Sequence, residues 1–181
     1  ENHKDDFSEI IPVFKTGDLA KNQTTHPYMN KAIEKGSIVI QRHSMNIRGK
    51  EHNKWIDDNY FMIGKSYFYK GEFDEAIKTF NYIKETYKRN PLKYEAALWL
   101  ARCFSEKEDY VAAEMELDQL QTDRKFPEKL DDELAVILAD FYLKQENYIL
   151  ALDELNTAIK LIKKRKKKTR LYFILAQLNQ Q

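Results

Sequence analysis

Three stretches of the chain align without a gap, and that repeat constrains the fold more than any other feature. They are NYFMIGKSYFYKGEFDEAIKTFNYI (59–83), AALWLARCFSEKEDYVAAEMELDQL (96–120) and LAVILADFYLKQENYILALDELNTA (134–158), offset by 37 and 38 residues. Gly64, Ala101 and Ala139 share one column, each preceded by an aliphatic residue: Ile63, Leu100 and Leu138. Tyr67, Phe104 and Tyr142 form the next column, followed by Phe73, Tyr110 and Tyr148. Then come Ala76, Ala113 and Ala151, and finally Phe80, Leu117 and Leu155. A unit repeated at this period cannot bury its apolar face alone, so copies must stack.

Each copy has two bursts of helical spacing. Tyr60, Ile63, Gly64 and Tyr67 lie at i, i+3, i+4 and i+7, one face of a first helix. Phe73, Ala76, Ile77, Phe80 and Ile83 outline a second. The polar links between them, YKGEF, SEKEDY and KQENY, are short enough to predict an antiparallel helix hairpin. A small residue where two helices cross lets their axes approach. Gly64 inside a helix costs about 1 kcal/mol against Ala, so close packing is the expected reason for it. Asn90 and Pro91 read as an N-cap and first-turn pair opening the second unit, and Pro127 breaks the chain before the third.

The pattern resembles the tetratricopeptide repeat, through Tyr60, Ile63, Gly64, Tyr67, Ala76 and Phe80 in the first copy and Ala158 in the third. Its period is longer, by about one helical turn. The predicted fold is therefore all-α, an α-solenoid of helix-turn-helix units. Repeats are expected at 57–93, 94–131 and 132–168, with the first helix of a truncated fourth at 169–181. Leu175 and Ala176 fall in its aliphatic and small columns. Residues 29–56 read as the second helix of a preceding unit, with Ala32, Ile33 and Val39 facing inward, plus a connection. Residues 1–28 have no convincing period and are expected to form a partly irregular segment packed against that helix. Half a hairpin at either end predicts a piece of a longer array. A chain opening on Glu1 is expected to be processed or cut from something longer.

Composition agrees with helices: 33% of residues are charged, with only five Gly and four Pro among 181. The net charge is +1, but residues 163–170 alone hold seven cations, leaving 23 against 29 acidic residues elsewhere. Basicity is thus local, and most of the surface would repel a phosphate backbone. Apolar runs such as 134–143 are half the ~20 residues a spanning helix needs. Cys103 is the lone cysteine, which excludes an intrachain disulfide.

Catalytic motifs fail one by one. GKS at 64–66 imitates the end of a phosphate-binding loop, but Asn59 stands where that motif needs Gly, and Gly64 lies mid-helix. His43 and His52, with Glu51 adjacent, match no ligand spacing and read as surface or loop residues. Cys103 reads as a buried, inert thiol. Asp57, Asp58, Asp131 and Asp132 sit at helix starts, where the macrodipole favours carboxylates. No enzyme activity, cofactor or metal is expected.

Binding is the better-supported activity, because stacked hairpins present a concave surface suited to a peptide or helix. By the resemblance, its partner-facing residues would be Asp58, Phe61, Lys65, Phe68 and Tyr69 in the first unit. In the second they would be Leu98, Arg102, Ser105 and Glu106, and in the third Val136, Asp140 and Lys144. Phe61 and Phe68 lie off the packing face by period, leaving their apolar surface to a ligand or to covering helices.

Several stretches go further: VIQRHSM, GKEHNKWIDDNYFMIGKSYFYKGEFDEAI, KYEAALWLARCF and TRLYFILAQL. Together they resemble the N-terminal repeat region of the SprE/PorW lipoproteins of Bacteroidota, associated with type IX secretion and gliding motility. That resemblance implies a periplasmic, outer-membrane-associated scaffold. Its implied partners are the outer-membrane translocon and the periplasmic ring subunits, with membrane contact only through a lipid anchor outside this chain.

The basic ridge of Lys163, Lys164, Arg165, Lys166, Lys167, Lys168 and Arg170 admits another reading, a nucleic-acid binder or basic-patch adaptor. Its expected place is the last turn of the third unit's second helix and the following loop. There two or three cations would suit the helix dipole. The remainder would suit an acidic protein surface or lipid headgroups better than a long nucleic acid.

Overall fold

The computed structural model describes residues 9–14 and 26–180. Among them are eight α-helices packed sequentially in antiparallel pairs, consistent with a helical repeat array. They are α1 (His26–His43), α2 (Ile56–Tyr69), α3 (Phe73–Thr86), α4 (Leu92–Glu106), α5 (Tyr110–Thr122), α6 (Asp131–Lys144), α7 (Tyr148–Leu161) and α8 (Arg165–Leu178). A 3-10 turn at Glu128–Leu130 follows Pro127 and leads into α6. The first helices of the pairs stack on one another, α2 on α4 and α4 on α6.

The repeat columns have structural counterparts. The turns α2–α3, α4–α5 and α6–α7 each carry one left-handed residue: Gly71 (φ 76°), Glu108 (φ 60°) and Glu146 (φ 57°). The following N–H groups, on Glu72, Asp109 and Asn147, donate to the carbonyls of Tyr67, Phe104 and Tyr142 at 3.0, 3.0 and 2.9 Å. This is the Schellman closure, and it ends each first helix two residues after its aromatic column. The Asp109 and Asn147 side chains also accept from Ala112 and Leu150 N–H, capping α5 and α7.

The small column meets the last column across each hairpin. A Cβ on Gly64 would lie 2.7 Å from Phe80 Cε1. Phe80 is fully buried, as are Leu117 and Leu155, its counterparts opposite Ala101 and Ala139. Glycine therefore accompanies the ring and alanine the smaller aliphatic, a volume trade that keeps interior packing dense. At the second unit's start, the Asn90 side chain accepts from Leu92 N–H at 3.0 Å, with Pro91 bound in the αR region at the N-cap.

Four expectations need correction. The connection 44–55 contains a small β-hairpin, β1 (Asn46–Ile47) with β2 (Lys50–Glu51), turned by Arg48 and Gly49 at φ 54° and 75°. Two consecutive positive φ values define the tight turn that suits strand twist. Next, α8 starts at Arg165, after a link at 162–164, so most of the basic run opens a helix instead of closing one. Burial of Leu171, Ile174 and Leu178 at i, i+3 and i+7 draws the helix through the cations despite an unfavourable dipole. In the same helix Ala176 is exposed and Leu175 half-buried, because no later helix among the described residues covers that face. Finally, residues 9–14 do not pack on α1 but lie across α6 and α8. The rest of the expected segment 1–28, up to residue 25, lies outside the described residues. Along α1, Ala32, Ile33 and Val39 are half-buried, and Gly36 is buried against Ile63 of α2.

Candidate functional site

Residues 9–14, EIIPVF, lie in the trough between α6 and α8 outside any helix or strand. Ile11 and Val13 are 3% and 5% exposed, with Pro12 exposed between them and Ile10 and Phe14 half-buried on either side. They join Ala135 and Ala139 of α6 and Leu171, Ile174 and Leu178 of α8 in one apolar cluster. α6 and α8 make little direct contact with each other, and the segment shares the space between them with Leu155, Ala158 and Ile159 of α7.

Two side chains of α8 hold the segment by its backbone. Arg170 Nε donates to Pro12 O at 2.8 Å and Val13 O at 3.1 Å. The Gln177 amide works in both directions, accepting from Ile11 N–H at 3.1 Å and donating to Glu9 O at 2.6 Å. Positions 170 and 177 are two turns apart on one helix face, about 10 Å. Gln177 therefore takes the Glu9 and Ile11 end of the segment and Arg170 the Pro12 and Val13 end. The amide clamp reads no side chain, while burial of alternate residues selects aliphatic ones.

Phe14 ends the segment on Arg102 of α4, whose guanidinium carbon is 3.9 Å from its ring centroid. Trp99 and Phe68 supply further ring faces at 4.2 and 4.8 Å. Arg102 is only 6% exposed, and its Nε has no hydrogen-bond partner among the described residues. The rings meet that desolvated cation with their negative faces. Glu133 of α6 lines the same recess with Val13, Phe14 and Arg170. Burial pushes its carboxyl above the ordinary value, against the pull of Arg102. At the other end, Lys144 bonds Glu106 at 2.8 Å and Asp140 at 3.0 Å. Burial draws the Lys144 ammonium down, but these two carboxylates outweigh it and leave its pKa raised.

Of the expected partner-facing residues, Arg102, Val136, Asp140 and Lys144 border this segment. Those of the first unit are elsewhere, apart from Phe68, which meets Arg102 at the end of the segment. Phe68 and Leu98 are fully buried and offer no side-chain surface, correcting their place in that set. Trp99 is the reason for Phe68: the rings meet edge-on at 5.1 Å, with Tyr69 (5.8 Å) and Phe61 (6.5 Å) against the same indole. Lys65 lies over Phe61 and Trp99 at 5.5 and 5.0 Å. Leu98 instead joins the core between α4 and α6. Ser105 is also buried, its Oγ unpartnered among the described residues, and Asp58 is exposed.

The basic ridge does not stand alone. Lys163, Lys164 and Lys167 share a cleft with Glu128, Asp131 and Asp132 at the entrance to α6. Lys163 to Lys167 are exposed, Lys168 and Arg170 half-buried.

Cys103 is fully buried, and burial raises its thiol to about 12, far from thiolate chemistry at neutral pH. Glu51 holds the β-hairpin in place, accepting from Ser44 Oγ and from Met45 and Asn53 N–H, both at 2.8 Å. These bonds hold its carboxyl below the ordinary range. Among the described residues, no three His, Cys, Asp or Glu side chains gather into a metal site, and no helix is long and apolar enough to cross a membrane. Sequence reasoning missed the segment and its clamp; the only signal was the unexplained cluster of apolar residues around Pro12. No protein-family model matches the chain, and no curated protein matches it.

Proposed function

We propose that the protein is a non-enzymatic scaffold for protein–protein interaction, an α-solenoid of tetratricopeptide-like repeats with a 37–38-residue period. One observation carries the reading: the face formed by the first helices holds a non-helical segment of polypeptide by its backbone, through Arg170 and Gln177. A surface that binds its own chain this way has the chemistry to bind another. Cys103, the one candidate nucleophile of its type, is buried and protonated, in keeping with binding rather than catalysis.

The resemblance of residues 29–181 to the SprE/PorW lipoproteins supports a finer version. In it the chain is a periplasmic, outer-membrane-associated part of the type IX secretion and gliding machinery, linking the translocon to the ring. Pull-down with the purified chain, in parallel with a longer form of the protein, tests it. Retention of translocon or ring subunits is expected; retention of neither by both forms would remove the role.

Nucleic-acid binding through the basic ridge is the weaker reading, since a phosphate would have to compete with Glu128, Asp131 and Asp132 for three of its lysines.

A further inference from the structure

The trough between α6 and α8 is already occupied, and its occupant differs from the helices around it. Residues 9–14 are separated by more than 150 positions from the α8 side chains that bind them. Eleven residues, 15–25, join them to α1. No helix or strand includes residues 9–14, which are anchored by the aliphatic side chains of Ile11 and Val13, one ring and backbone hydrogen bonds. Those are the terms on which an extended peptide binds a groove from outside.

We infer that residues 9–14 are a detachable plug, an internal ligand that closes the trough until an extended segment of another protein displaces it. The inference rests on the scaffold reading and adds the chemistry of the ligand and a mode of control. The incoming segment carries aliphatic residues at two alternate positions, where Ile11 and Val13 now lie. An aromatic residue follows the second, where Phe14 meets Arg102. Gln177 and Arg170 bind its backbone whatever the intervening residues are.

Because the plug belongs to the same chain, its binding is intramolecular, so it suppresses weak ligands and yields to strong ones. The test uses a fluorescent peptide of residues 8–15, SEIIPVFK, titrated into the wild-type chain and an Ile11→Asp/Val13→Asp chain. The charged variant should release its plug and bind the peptide on the order of 100-fold more tightly than wild type. Gln177→Ala in that background should weaken binding again. A folded variant, judged by helical circular dichroism and a cooperative melt, that ignores the peptide would overturn the inference; so would equal binding by both chains.

Hydrogen exchange on the wild-type chain decides the matter if the variant does not fold. The Ile11 amide should exchange through a local opening, faster than the amides of Leu138 and Ile174. Exchange of all three at one global rate would make the segment a permanent part of the core and sink the plug. A chain that retains its machinery partners while its freed trough ignores the peptide would defeat the plug and leave the scaffold standing.

Discussion

The two halves of the first-helix face close their interiors by different means. Between α2 and α4 the space is filled by rings on the helices themselves: Phe61, Phe68 and Tyr69 around Trp99. Between α6 and α8 the facing residues are mainly aliphatic, and the chain brings in Ile11, Val13 and Phe14 from far away. An indole reaches across a gap that a leucine cannot. An array can therefore keep its period while one interface is self-sufficient and another depends on an inserted segment.

Breaking the aromatic half should have the largest effect. Trp99 is 5% exposed and touches four other rings, so Trp99→Ala is expected to cost about 3–5 kcal/mol in chemical denaturation. A cost under about 1 kcal/mol would mean that the rings are not what closes this half.

The pairing of Gly64 with Phe80 gives a sharper test. Gly64→Ala meets the ring and should destabilise, with overpacking of about 1–3 kcal/mol outweighing the ~1 kcal/mol gain in helix propensity. Phe80→Leu rebuilds the Ala–Leu pair of the other two units. The double variant should therefore show favourable coupling of about 1–3 kcal/mol in a double-mutant cycle. Additive effects would refute the volume trade.

The left-handed turn column contrasts Gly71 with Glu108 and Glu146. Glu108→Gly and Glu146→Gly should each stabilise by about 0.5–1 kcal/mol, since glycine takes this conformation without the Cβ penalty. Gly71→Ala should do the reverse, and thermal melts of the three variants check the sign.

The smallest effect concerns Glu133 beside the plug. Its pKa is raised in the folded chain from an ordinary 4.5, so its ionisation opposes folding. Its favourable contribution is complete below 4.5 and is lost as pH climbs through the raised folded value. Glu133→Gln should remove that loss, giving a melting temperature that exceeds wild type at neutral pH by more than at pH 4. An unchanged difference across that range would exclude the carboxyl as the cause.

Much of the first half was legible because its information is local. Gly64, Tyr67 and Phe80 recur in columns, and a helix hairpin turns period directly into packing. Phe68 shows the limit. Its position relative to the helix face suggested exposure, yet the neighbouring unit's Trp99 buries it, and no spacing within one unit contains that contact. Around residues 46–51, the tight turn at Arg48 and Gly49 left only two residues of cue on each side, too few for a strand pattern.

Taken alone, the sequence determined the helix hairpins, their turns and their order, because helix periodicity and turn closure depend on residues a few positions apart. Tertiary structure alone decided that α8 begins within the basic run, where burial of Leu171, Ile174 and Leu178 outweighs the dipole. It alone placed residues 9–14 in the α6–α8 trough. That contact joins Ile11 to Gln177 across 166 positions, and what selects it is the shape of the gap left between two distant helices.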